Sequence, residues 1–487
     1  AWWRTGRRRA CASAAAYSSG CGGCRRRAWK RRVRTGRPPT RLRKHIGCTM
    51  VSAIINWLRA SSDAVKTSLW LAPGAMFLAG LCLAIWLPRL GHGWSVEGNP
   101  LFAWIQGGSG QDAQLLLSTL LTSVITMASM AFSVTVVALS LAASNFGPRL
   151  IRVFRANRLN EAVLGTLIMT IVYLLLVLRS VQGSWQATQV PHVAVAVGAL
   201  LAVLSVLALL AFIQGVATSM TAEEVVRRAD DELNLAISEL PDLASAVLMP
   251  TVAIRPDFEA VATRIPLPKE GYVQSVQFEG ILAWAAKRQA VVRLDFKPGD
   301  FVVDGDRKVL LYPCPEDVDQ VRRQIGQFIV SGQARTPNQD LEFAIRHLVE
   351  VAVRALSPGI NDPFTALAVI DRLRGGASRL CVKQLPSDVL HDGAGEVRLL
   401  RRVTTYAGAI DAAFNQIRQA GSTKPAVLIH LLDAIGSVGS HARTAEQRLV
   451  LSRHARLTRS AGLRDIAEPD DRENLERGFE KAMLVLR

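Results

Sequence analysis

Hydroxyl side chains recur along one uncharged stretch of this sequence. From Leu115 to Ser144 the chain reads LLLSTLLTSVITMASMAFSVTVVALSLAAS, and Ser118, Thr122, Thr126, Ser129, Ser133, Ser140 and Ser144 follow one another three, four or seven residues apart. On a helix that spacing gathers them into one stripe, with Leu, Ile, Val and Phe on the remaining surface. A helix of this length is ~45 Å long, more than the ~30 Å hydrocarbon core of a bilayer. Hydroxyls at that depth need something to face. Against a second helix they allow close packing and interhelical hydrogen bonds; against water they form the wall of a permeation path. Both readings follow from the stripe, and in an oligomer they can hold together.

A second dense motif is Ser357-Pro358-Gly359-Ile360-Asn361-Asp362-Pro363. Asp followed by Pro fits an N-cap and a first helical position, launching a helix from Phe364 to Leu373. The chemical alternative adds His347 and Glu350, three apart on one helix face, to Asn361 and Asp362 as oxygen and nitrogen ligands for a divalent ion or a phosphate. Arg335-Thr336-Pro337-Asn338 reads first as a loop and cap, second as an anion contact. Arg149, Arg152, Arg155 and Arg158, at three-residue spacing after Asn145-Phe146-Gly147-Pro148, set membrane topology and suit anionic headgroups; a cationic ring at a pore mouth is the alternative.

Catalytic signatures are missing. The sequence has no Gly-rich phosphate loop, no GxSxG elbow, no HExxH and no paired CxxC, and its eight histidines are dispersed. The expectation is a protein that is not an enzyme and holds no cofactor or metal. No Asp, Glu, Lys or Arg falls within the apolar runs, which counts against an ion-coupled transporter.

Four apolar runs must position these groups: about 69–87, 115–144, 162–178 and 193–213. Trp57, Trp70 and Trp86 lie near the ends of the first, as interfacial aromatics do. Arg59 and Lys66, the four-arginine row, and Arg227 with Arg228 all fall on one side, so the positive-inside rule puts both termini in the cytoplasm. The second run is expected to be the one around which the others assemble. Residues 218–250 read as a helical extension of the fourth span. From 251 to 315 short β-branched segments with Pro-Gly and Asp-Gly turns suggest a small β-barrel or sandwich, Gly280 to Lys287 being an inserted helix. Residues 316–487 are helical in pattern. The fold class is thus an α-helical integral membrane protein with four spans and a cytoplasmic α+β region.

The formal charge of +18 suggests nucleic acid, but its distribution does not. Fifteen of the 58 basic residues and none of the 40 acidic ones precede Met50, leaving +3 for the rest of the chain, so no nucleic-acid partner is expected. Residues 1–49 read as a disordered Arg-rich extension lying upstream of a true start at Met50. A polybasic arm, a transit peptide and a half zinc site at Cys21 and Cys24 are the alternatives. Residues 50–68 form an amphipathic pre-membrane segment.

Three stretches carry a family resemblance. They are Phe132 to Arg149; Gly271-Tyr-Val-Gln with Pro298-Gly-Asp-Phe-Val302; and Arg335-Thr336 through Gln339 to Ile345 and on to Ala355-Leu-Ser-Pro-Gly-Ile-Asn-Asp-Pro-Phe-Thr-Ala366. Together they resemble the bacterial predicted-membrane-protein family known as domain of unknown function 2254, over about Ser68 to Ser440. The resemblance implies an inner-membrane protein with a cytoplasmic C-terminal region, and brings no catalytic residues. The functional expectation is a homo-oligomeric channel-like or membrane-sensing protein. The alternative is a membrane-anchored regulatory protein whose cytoplasmic domain binds a partner or small ligand.

Overall fold

The computed structural model of the chain describes residues 71–90, 109–146, 158–186, 189–219, 221–243, 257–337 and 339–487. The basic tail, the pre-membrane segment, and Arg149, Arg152 and Arg155 lie outside the described residues, as do the side chains of Ser144 and Arg158.

Among the described residues four helices are long and apolar enough to cross a membrane: α1 (Leu71–Leu90), α2 (Gly110–Phe146), α3 (Arg158–Ser180) and α4 (His192–Ser219). Pro88, expected to close the first helix, sits inside its last turn. The hub of the bundle is α3, not α2. It packs against α1, α2 and α4, and it buries Val163, Leu167, Thr170, Tyr173, Leu174 and Val177. Small residues let α1 approach it: a Cβ on Gly80 would lie 2.7 Å from the Met169 carbonyl oxygen, and one on Gly165 would lie 2.3 Å from Met76 Sδ. Such close backbone approach is how helices gain dispersion contacts in lipid, where no hydrophobic force drives them together. On α2 the buried seam is Leu117, Val124, Ala131 and Ala138, a seven-residue repeat that suits shallow left-handed crossing of its neighbours.

After α4 the chain does not simply continue as one helix. Thr221 opens a new one, α5 (Ala222–Ser238), its hydroxyl accepting the Glu224 N–H at 3.3 Å. A short α6 (Phe258–Val261) leads into a mixed region of β1 (Thr263–Ile265), β2 (Gly271–Val276), α7 (Phe278–Lys287), β3 (Val291–Leu294), β4 (Phe301–Val302), β5 (Val309–Tyr312), α8 (Val318–Gly326) and β6 (Ile329–Gly332). The inserted helix is where the pattern placed it. The strands close no barrel: they form two open sheets, ordered β1-β5-β3-β8-β7 and β4-β2-β6, whose buried side chains share one core.

The remaining elements are α9 (Leu341–Ala355), α10 (Pro363–Leu380), β7 (Val389–His391), β8 (Val397–Arg401), α11 (Tyr406–Ala420), α12 (Pro425–Gly439), α13 (Ala445–Asp465) and α14 (Pro469–Leu486). The stretch expected to be wholly helical therefore sends a hairpin back into the larger sheet. β8 lies parallel to β3, with Val292 opposite Leu399, and its Leu399 is fully buried. The helices build a separate core in which α5 is embedded, contributing Val225, Val226, Ala229, Leu233 and Ile237.

Candidate functional site

The hydroxyl stripe of α2 lies outside the four-helix bundle. Thr122, Thr126, Ser129, Ser133 and Ser140 are exposed and Ser118 half-buried. At 100° per residue the stripe is on the opposite side of the helix from the Leu117–Val124–Ala131–Ala138 seam. Packing against another helix of the same chain therefore does not explain it among the described residues. Ser118, Thr122 and Thr126 donate to the carbonyls of Leu115, Ser118 and Thr122, each at 2.9 Å. Back-bonding of this kind satisfies a hydroxyl locally while leaving its oxygen able to accept from another group. Ser118, Thr122 and Thr126, with Thr119 and Ser123, line an open groove of about 570 Å³.

The hydrogen bonds that do join spans were not singled out by the stripe. Ser205 on α4 donates to Thr170 Oγ1 on α3 at 3.0 Å, or to its own Leu201 carbonyl at 2.8 Å, and Thr170 bonds back to Thr166. Tyr173 reaches across to the Ala194 carbonyl at 2.8 Å. Three isolated polar residues in long apolar runs are the only sequence signal these groups leave.

Beyond the membrane-spanning helices, α5 is held by polar side chains on two helices. His347 Nδ1 on α9 lies 2.8 Å from Glu232. The largely buried Asp230 faces Arg372 at 3.6 Å and Arg379 at 3.9 Å, and Arg379 also bonds Asn234. Gly376 on α10 lets Leu233 approach, since a Cβ there would lie 2.7 Å from Leu233 Cδ2.

The Ser357–Pro363 motif is the connection from α9 to α10, and the structure gives most of its polar residues a job. Asn361 has φ +51°, a left-handed conformation Asn tolerates well, and its amide nitrogen bonds the Ser357 carbonyl at 2.8 Å. Asp362 caps α10 by accepting from the Thr365 N–H at 3.1 Å and from the Thr365 hydroxyl, and these bonds hold its carboxyl below the usual range. Lys424 bonds Asn361. His347, Glu350, Asn361 and Asp362 are not gathered into one ligand set; among the described residues no group of three or more His, Cys, Asp or Glu is placed to hold a metal.

The other two extramembrane motifs meet at one seam. Gln339 clasps β2 by accepting from the Val276 N–H at 3.0 Å and donating to its carbonyl at 3.3 Å. Arg335 pairs with Asp340 at 2.5 and 3.0 Å. Gly299, at φ +90°, passes so close that a Cβ would lie 2.0 Å from Asp340 Oδ2. Next to it Lys297 bonds the buried Glu342, which also accepts from Thr404 and Arg346. Burial pushes the Glu342 carboxyl up, but its bond to Lys297 and the charges of Lys297 and Arg346 outweigh this and hold it below its usual range. This arrangement joins sheet to helices. It is a structural clasp, and Arg335 serves it through Asp340.

Comparison with known proteins agrees with a membrane protein. The sequence profile of a family described as predicted membrane protein (DUF2254) matches residues 66–437. Uncharacterised proteins of Mycobacterium tuberculosis and Mycobacterium bovis are each 28% identical over 437 residues, covering 88% of this chain and 82% of theirs. No solved structure matches. With most of its length matched, the three motifs included, the chain belongs to the DUF2254 family of predicted membrane proteins.

Proposed function

We propose that this protein is a homo-oligomer of the bacterial inner membrane in which the hydroxyl faces of α2 from neighbouring copies meet around a shared axis, as a channel-like or membrane-sensing assembly. One observation carries the reading. The most hydroxyl-rich surface of the longest span points away from its own bundle, where lipid would give those hydroxyls no partner beyond their own helix. A second copy, or water held between copies, would. Four spans make a thin bundle, so a path between copies is more plausible physically than one within a copy. The absence of charged side chains from the apolar runs suits an uncharged path better than an ion-coupled pump. In this reading the basic residues flanking the spans keep both termini and the α/β region in the cytoplasm.

Cysteines placed at Ser129 or Ser133 in vesicle-reconstituted protein test the arrangement. Oxidation should give disulfide-linked dimers there and none from a cysteine at Ala131, on the buried seam. Equal yields at all positions, or none at any, would remove the shared-axis reading.

The grip on α5 favours a second, regulatory reading. Because α5 follows α4 directly and is held through Asp230 and Glu232 by α9 and α10, a ligand or partner of the α/β region could bias the membrane helices, or the reverse. Exchange of Glu232→Gln would then alter the response of one part to changes in the other without unfolding either.

A further inference from the structure

The α9–α10 connection carries an exposed apolar tip whose place in the fold is set by α5. Along these two neighbouring helices the contacts advance together: Asp230 with Arg372, Leu233 with Gly376, Asn234 with Arg379, and beyond the helix ends Asp242 with Lys383 at 2.9 Å. The two helices are therefore parallel. Carried back at ~1.5 Å per residue, the start of α10 is about level with the start of α5, three residues on from the end of α4. Phe364 thus sits one helix away from the point where the chain leaves α4. A second contact agrees, since α9, which feeds the connection, touches α2 of the membrane-spanning bundle.

At this level Phe364 is 79% exposed and Ile360 45%. Among the described residues no large apolar side chain is more exposed than Phe364, those on the outer faces of the four spans included. The remaining exposed residues of the tip, Pro358, Gly359 and Asn361, are uncharged. The carboxylate of Asp362 is turned to its own helix N-terminus, and the cation of Lys424 lies against Asn361. An aromatic and an aliphatic side chain with a lysine beside them, and no outward carboxylate in the connection, match the chemistry of the headgroup boundary.

We propose that residues 357–364 are a membrane-contacting loop: Ile360 and Phe364 enter the boundary between headgroups and acyl chains of the bilayer that α1–α4 cross, with Lys424 at the level of the lipid phosphates. The loop fixes the height and tilt of α9 and α10 against the membrane, and through them the grip on α5. This inference is independent of what the α2 hydroxyls meet.

The experiment uses the full chain in vesicles of phosphatidylcholine and phosphatidylglycerol. Cys11, Cys21, Cys24, Cys48, Cys82 and Cys314 are replaced by Ser, and the fully buried Cys381 is kept. A single cysteine replaces Phe364, or, as control, Leu235, which is 62% exposed and about 20 Å further along α5. Each is labelled with the fluorophore NBD. Lipids bearing a nitroxide near the carboxyl end of the acyl chain should quench the label at 364 at least about threefold more strongly than at 235, while aqueous dithionite bleaches it more slowly. Rapid bleaching at 364 without nitroxide quenching would place the tip in water and overturn the proposal. Protection from dithionite without nitroxide quenching would place it against a second copy and equally overturn it. A label-free measurement stands beside these. Amide exchange across residues 357–364 in vesicles should be slower in the native chain than in Phe364→Glu, and equal rates would contradict membrane contact.

Discussion

Ser205 Oγ lies 3.0 Å from Thr170 Oγ1, joining the third and fourth helices through two side chains that are fully buried. Both hydroxyls also have a backbone carbonyl of their own helix within reach, so the pair adds little energy beyond fixing register. Ser205→Ala should cost about 0.6 kcal/mol, the average for hydrogen bonds of this kind. Ser205→Leu should cost ~1–3 kcal/mol by overpacking. Thermal melts of detergent-solubilised protein would separate the two. Because the stripe residues are exposed within one copy, Ser129→Leu and Ser133→Leu should leave the melt of the dissociated single copy unchanged within error.

At the sheet–helix seam, Gly299→Ala should be among the most damaging single-methyl changes in the extramembrane region. Its Cβ would collide with Asp340 Oδ2 and the Arg335 guanidinium, at a φ that L-residues rarely adopt. A loss of about 2–3 kcal/mol is expected from strain and from breaking the pair. Hydrogen exchange in β2 and at the start of α9 should rise together, because Gln339 and Arg335 hold both.

Lys297 and Glu342 should behave as a buried ion pair. Lys297→Met alone strands a carboxylate and should destabilise by roughly 3 kcal/mol, whereas Lys297→Met with Glu342→Leu should recover most of that loss. The pH dependence has a definite sign. A carboxyl held below its ordinary 4.5 in the folded state stabilises the fold above that value, and the contribution fades as pH falls through the lower folded value. Melts at decreasing pH should show this in the native chain and not in the double variant.

His454 offers a test near neutrality. It is fully buried on α13, its Nε2 lies 2.9 Å from Asp411, and its Nδ1 has no hydrogen-bond partner. Burial, reinforced by the nearby Arg453 and Arg418 and opposed by Asp411, holds its pKa below the ordinary 6.5. The folded state thus favours the neutral ring. Stability from this group is present above 6.5 and is lost as pH falls from there toward the folded value. His454→Gln should flatten the Tm curve as the pH falls below 6.5.

Much of this architecture was legible in the sequence, for identifiable reasons. Long uncharged runs announce four membrane helices because each must satisfy its own backbone in lipid. Asp362-Pro363 announces a helix start because both residues suit a terminus. What stayed hidden was the inner face of each span. Lipid and protein interior are equally apolar, so Leu117 and Ala131, which face the bundle, resemble Leu116 and Phe132, which do not. The hub role of α3 was hidden for the same reason. β8 escaped because Val397-Arg-Leu-Leu-Arg401 reads as easily helical as extended. Its pairing with β3, about a hundred residues earlier, decides the matter. The clasp residues Lys297, Gly299, Arg335 and Glu342 were visible as motifs, but their shared purpose appears only once the sheet and α9 meet.

The most direct test of the proposed function is single-channel recording of the full chain in planar bilayers, with membrane tension and the solution on each side varied. The account predicts discrete conductance steps in the native protein that vanish in Ser133→Leu, while that variant keeps its melt and its oligomer size. A silent bilayer containing correctly folded oligomer, or conductance unchanged by Ser133→Leu, would contradict it.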